Sequence, residues 1–120
     1  MKFCWCTITV EDMEESLAFY RDIVGLPVSR RFSDRPEADI CFLGDGETKV
    51  ELICEEGRTA ADNPAGISLG FSVESLDAMM AFLHEKEIEI ESGPFQPNPH
   101  IKFFFVKDPN GVTVQFSESM

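Results

Sequence analysis

The stretch Val10-Glu11-Asp12-Met13-Glu14-Glu15-Ser16-Leu17-Ala18-Phe19-Tyr20 returns 63 residues later as Val73-Glu74-Ser75-Leu76-Asp77-Ala78-Met79-Met80-Ala81-Phe82-Leu83. Each copy ends an apolar strand, supplies a capping side chain (Asp12 or Ser75) and continues into a run of apolar residues at helical spacing. Later in each half, Val50-Glu51-Leu52 answers Val114-Gln115-Phe116 at an offset of 64. A chain that repeats itself at this period is two copies of one supersecondary unit.

Working outward, residues 4–10 alternate and include β-branched members, which predicts a strand. Asp12, with Glu15 three positions on, starts a helix whose apolar face holds Met13, Leu17, Tyr20 and Val24; Gly25 and Pro27 stop it. A strand over 28–32, a loop over 33–37 and a hairpin of 39–43 with 48–54 about Gly44-Asp45-Gly46 complete the first copy. Residues 55–66 are polar and turn-rich, the natural linker. The second copy predicts a strand over 67–73, a helix over 76–86 capped by Ser75 and a strand over 88–91. A loop over 93–99, a strand over 101–106, an Asp108-Pro109-Asn110-Gly111 turn and a strand over 112–117 follow. The fold class is therefore α+β, two tandem βαβββ modules. A single domain spans 1–120, with module one at about 1–56, the linker at 55–66 and module two at 67–120.

A chain of 120 residues buries a real core but is too short for two independent domains. With hydrophobic residues at 43% and charged residues at 27%, the balance is that of a soluble globular protein. No apolar run approaches the roughly 18 residues that cross a bilayer, and the first residues lack a signal-peptide pattern, so no membrane association and a cytoplasmic location are expected. A net charge of −12 argues against a nucleic-acid partner, which requires a basic face. Of the four cysteines, Cys4 and Cys6 share one strand face with Ile8 and Val10; Cys4, Cys6, Cys41 and Cys54 are expected as buried thiols rather than disulfides or a metal cage.

The run Val-x-Asp-Met-x-x-Ser-Leu-x-Phe-Tyr-Arg-Asp-x-x-Gly-Leu over residues 10–26, Val50-Glu51-Leu52-Ile53 and Asp108-Pro109-Asn110-Gly111 resemble the vicinal oxygen chelate superfamily. That group includes glyoxalase I, bleomycin-resistance proteins and extradiol dioxygenases. The resemblance implies that the modules curl into a cup-shaped mixed sheet with helices on the convex face, and that the chain pairs as a homodimer. The alternation of the strands agrees. Ile8, Val10, Val50, Leu52, Leu69, Phe71, Val114 and Phe116 form one apolar set. The other set is Trp5, Thr7, Thr9, Lys49, Glu51, Ile53, Ser68, Gly70, Ser72, Thr113, Gln115 and Ser117, and it is expected to face the cleft.

Metal-dependent relatives place four ligands on such inward faces, and carried over they fall on Trp5, Glu51, Ser68 and Gln115. Only Glu51 is an ordinary ligand. Indole does not coordinate, and serine and amide oxygens are poor donors for a transition metal, so no metal and no other cofactor is expected. Recruitment of His84 or His100 is the remaining route to a metal. Without one, Trp5 offers a flat surface for a planar or cationic small-molecule ligand. Glu51 accepts hydrogen bonds, while Thr7, Ser68, Gln115 and Thr113 orient the ligand, and His100 stands on a proline-stiffened rim loop. Phe104 is expected among the ligand-binding residues as well; alternatively Trp5 fills the cleft by packing on Phe104 or its neighbours. An enzymatic reading uses Glu51 as a general base of raised pKa with His100 as acid partner, in the manner of a glyoxalase-family lyase or isomerase. A pure interaction module is the third reading.

Overall fold

A computed structural model of the chain covers residues 1–120 and describes every side chain except those of Asp34 and Arg35. It divides into two compact units, Met1–Pro64 and Ala65–Met120.

In module one, β1 (Trp5–Thr9) leads through a helical segment, α1 (Met13–Leu17), to β2 (Val28–Arg35), β3 (Ala38–Leu43) and β4 (Lys49–Glu55). The sheet order is β1-β4-β3-β2, with β1 parallel to β4 and the other pairs antiparallel. Asp12 caps α1 by accepting from the Glu15 N–H at 3.0 Å. The sequence predicts one regular helix to Val24, but residues Ala18–Ile23 widen into a π-helix, closed by Val24 N–H donating to the Phe19 carbonyl at 2.9 Å. The wider turn lets the consecutive rings of Phe19 and Tyr20 both enter the core. They lie under Ile8, Val10, Leu43, Val50 and Leu52, the apolar set of the strands.

Module two repeats the plan: β5 (Ser68–Ser72), α2 (Leu76–Glu85), β6 (Ser92–Asn98), β7 (Ile101–Lys107) and β8 (Thr113–Ser119), in the order β5-β8-β7-β6 with β5 parallel to β8. Ser75 caps α2 by accepting from the Ala78 N–H at 3.1 Å, and Glu118 accepts from the Leu76 N–H at 2.6 Å, tying the helix start to the last strand. Leu76 and Leu83 pack into a core with Phe104, Val106, Val114 and Phe116.

Three segments differ from the sequence reading, the first being the loop expected over 33–37, into which β2 continues as far as Arg35. The strand expected over 88–91 is irregular throughout, and the segment expected as a loop, 93–99, belongs to the edge strand β6 as far as Asn98. Pro94 and Pro97 carry no N–H, and β6 accommodates them with register shifts between Ser92 and Phe95 and between Phe95 and Asn98. The thiols also depart from expectation. Cys41 is buried, but Cys6 and Cys54 are half-buried and Cys4, which precedes β1, is exposed.

The linker is itself folded. Thr59 and Asp62 form a reciprocal capping box around the short helical turn Ala60–Asp62, and this turn delivers Asn63 to the edge of β1. The Asn63 amide accepts from the Thr9 N–H at 2.8 Å and donates to the Thr9 carbonyl at 2.8 Å. Thr9 is only 3% exposed, so an Asn63→Ala protein leaves both groups buried without a partner. Urea unfolding is expected to register a loss of about 1–3 kcal/mol. Burial pushes the Cys41 and Cys54 thiols up from their ordinary value, which lowers their thiolate fraction. Iodoacetamide labelling at pH 8, followed by peptide mass spectrometry, is expected to modify Cys4 first and Cys41 only after unfolding.

Candidate functional site

With its apolar set turned to the helix, each sheet presents its second face outward. In module one a single row crosses all four strands. Thr7 stands opposite Glu51, Glu51 opposite Phe42, and Phe42 opposite Arg30. The Thr7 hydroxyl donates to Glu51 Oε1 at 2.5 Å. Trp5 lies one step along the same face, opposite Lys49, and meets Phe42 edge-on with ring centroids 5.5 Å apart. Phe32 meets Phe42 edge-on from the other side at 6.5 Å. The Arg30 guanidinium sits 5.4 Å from the Phe32 centroid and 5.3 Å from that of Phe42, in cation–π range. Phe42 is buried beneath this group, whereas Trp5 (51%) and Phe32 (45%) remain open to solvent.

Arg30 reaches this face because of a bulge. Val28 pairs with Leu43, yet the next partner of β3, Phe42, faces Arg30 rather than Ser29. The extra residue shifts the register by one, which gives Arg30 the outward position, and ordinary alternation then turns Arg31 to the opposite face. Arg31 turns to the helix side and binds Asp39 at 2.8 and 3.1 Å and Glu14 of α1 at 2.9 Å. These carboxylates hold its pKa above the ordinary guanidinium value.

In module two, Ser68 and Gln115 share the outward face of β5 and β8, opposite Thr113 and Gly70 respectively. Gln115 is also opposite Phe105, and Ser117 opposite Phe103. Phe103, Phe105 and the exposed Phe95 form an aromatic cluster there, with centroids 5.7 to 6.4 Å apart. Phe104 is the exception among the residues expected to meet ligand. It is fully buried against Phe116 with centroids 5.6 Å apart, on the helix side, because alternation in β7 gives the outward positions to its neighbours. His100 is exposed at the β6–β7 turn, its backbone N–H donating to Asn98 Oδ1 at 2.8 Å. It stands five residues from Phe105, about 17 Å along the strand from the Gln115 position. His84 is exposed on α2, beside a shallow groove of about 630 Å³ bordered by Met80, Glu87 and Ile88.

Sequence reasoning did not single out Arg30, Phe32, Phe42, Phe95, Phe103 or Phe105. The cross-strand register that assembles them is set by the bulge in β2 and by the strand identity of β6.

The family model of the glyoxalase/bleomycin resistance protein/dioxygenase superfamily matches residues 2–116. The chain belongs to this superfamily. It is 30% identical over 104 residues to the uncharacterized protein YraH of Bacillus subtilis, covering 78% of this chain and 79% of that one. It is 30% identical over 125 residues to human mitochondrial methylmalonyl-CoA epimerase, covering 93% of this chain and 70% of the enzyme. Among solved structures, TnmS3, an antibiotic-binding protein from a Streptomyces species, superposes with a TM-score of 0.79 at 18% identity, covering 100% of this chain and 97% of that one. At that identity the likeness speaks to the fold. Among the described residues, no helix is long and apolar enough to cross a membrane.

The metal that many superfamily members hold does not fit the side chains present here. Of the four positions that the resemblance assigns to those ligands, Trp5 offers only an N–H donor, Ser68 and Gln115 are neutral, and one oxygen of Glu51 accepts from Thr7. Among the described residues, no three His, Cys, Asp or Glu side chains gather as a metal would need. Titration of nickel, zinc or manganese at matched ionic strength is expected to leave the emission of Trp5 flat. A saturable, chelator-reversible change near one equivalent would reverse this reading.

Proposed function

We propose that this protein captures a small planar molecule without the help of a metal, using the outward face of module one. The observation that carries the reading is the half-exposed Trp5 ring beside the buried Phe42, with Phe32 on its far side and hydrogen-bonding groups in the same row. Flat apolar surface beside a few fixed polar groups is the composition of a small-molecule site. The antibiotic-binding function named for TnmS3 on the same fold supports a binding role. The exposed Phe3, Val28 and Ile67 support pairing of two copies. Four free cysteines suit the reducing cytoplasm.

Because Trp5 is the only tryptophan, its emission reports directly on this face. A screen of planar compounds is expected to yield saturable quenching. By calorimetry, Trp5→Ala is expected to weaken any hit about three- to tenfold. If no planar compound perturbs Trp5, the binding reading fails.

A second reading is favoured by one contact. The Thr7 hydroxyl holds Glu51 through Oε1, and Oε2 has no hydrogen-bond donor among the described residues. Sequence likeness to an epimerase supports this. Under it, Glu51→Gln is expected to lower turnover of a carbonyl substrate at least about 100-fold. Full turnover by that protein excludes the general-base role.

A further inference from the structure

Arg30 is placed unlike any other described arginine of the chain. Arg21, Arg31 and Arg58 each pair with a carboxylate. Arg30 pairs with none among the described residues, although acidic side chains outnumber basic ones 22 to 10. Its guanidinium instead lies against two phenylalanine rings, and no described group accepts from its N–H donors. Such a guanidinium is held by contact with the two rings and keeps its N–H groups without an acceptor among the described residues. Its charge is permanent, because a guanidinium does not deprotonate in a protein.

The rest of the row gives the face a polarity. Glu51 and Arg30 flank Phe42 on the neighbouring strands, so negative and positive ends are separated by two strand spacings, about 10 Å. Trp5 and Phe32 rise on either side of that line as the exposed apolar surface. A flat ligand resting on these rings meets a fork of donors at one end and an acceptor carboxylate at the other.

Resting on the binding function proposed above, we propose that Arg30 is the anion-recognising residue of this face and that the captured molecule is a planar aromatic carboxylate. A carboxylate lies in the plane of the guanidinium and takes two parallel N–H bonds, which a neutral amide or an ammonium does not reproduce. Repulsion from Glu51 fixes the direction of binding, with the acid at the Arg30 end. A cation, which the net charge of −12 favours at long range, meets Arg30 at the aromatic surface itself. Screening reduces the distant charges beyond about 8 Å at physiological salt, so the local guanidinium decides.

The test is calorimetry on the whole protein with three probes of one shape: 2-naphthoate, 2-naphthamide and 2-naphthylmethylammonium. Naphthoate is expected to bind at least about tenfold more tightly than the other two. Arg30→Gln is expected to abolish that preference, weakening naphthoate about tenfold more than naphthamide. Arg30→Lys is expected to keep only part of it, since an ammonium is a point charge without the fork. Trp5→Ala is expected to weaken all three probes, which assigns the heat to this face. Equal or weaker binding of naphthoate relative to naphthamide or the ammonium overturns the carboxylate proposal and leaves metal-free capture standing. A preference that survives Arg30→Gln overturns the role of Arg30. If no probe binds, the carboxylate proposal fails, and the binding reading stands or falls with the wider screen of planar compounds.

Discussion

Everything in each module follows from two parallel strands that must be neighbours. β1 lies beside β4, and β5 beside β8, in parallel register. Parallel neighbours cannot be joined by a tight turn, so the chain has to travel over one face of the sheet to return. The helical segment after β1 and helix α2 are parts of those crossovers. Each takes the apolar set of its sheet as its floor, through Leu17 and Tyr20 in one copy and Leu76 and Leu83 in the other. Covering one face leaves the second face free of that duty, and its residues can be chosen for chemistry.

The two copies use that freedom differently. Module one sets a carboxylate, three aromatic rings and a guanidinium in and beside one row of cross-strand partners. Module two keeps small neutral groups on β5 and β8 and a phenylalanine cluster on β6 and β7. The neighbouring arginines of β2 show how local the distinction is. Arg31 stitches helix to sheet through Glu14 and Asp39, and Arg30 one position earlier lies on the outward rings.

Much of this was legible in the sequence because periodicity is a direct consequence of strand and helix geometry. The repeat gave the βαβββ plan, Asp12 and Ser75 gave the helix starts, and alternation sorted Glu51 from Leu52 and Gln115 from Phe116. What escaped reading depended on pairing rather than pattern. Two prolines made β6 look like a loop, yet an edge strand tolerates them where its register slips. In Phe103-Phe104-Phe105 the identical side chains hide which one is inward, and only the pairing of Phe104 with Phe116 settles it. The bulge beside Ser29 leaves no mark in composition at all. The π-helix is similarly silent, since Met13, Leu17, Tyr20 and Val24 suit a regular helix equally well.

Asn63 has a consequence for how this protein keeps to itself. β1 is the outer strand of its sheet, and the backbone groups of Thr9 on the side away from β4 would otherwise stand open. The side-chain amide of Asn63 matches a peptide group in donor and acceptor, and it occupies both positions as one residue of an adjoining strand would. The edge is thereby blunted by an imitation of the partner it invites. A foreign β-strand seeking to extend the sheet finds that rung already taken, a safeguard against the edge-to-edge polymerisation to which exposed strands are prone.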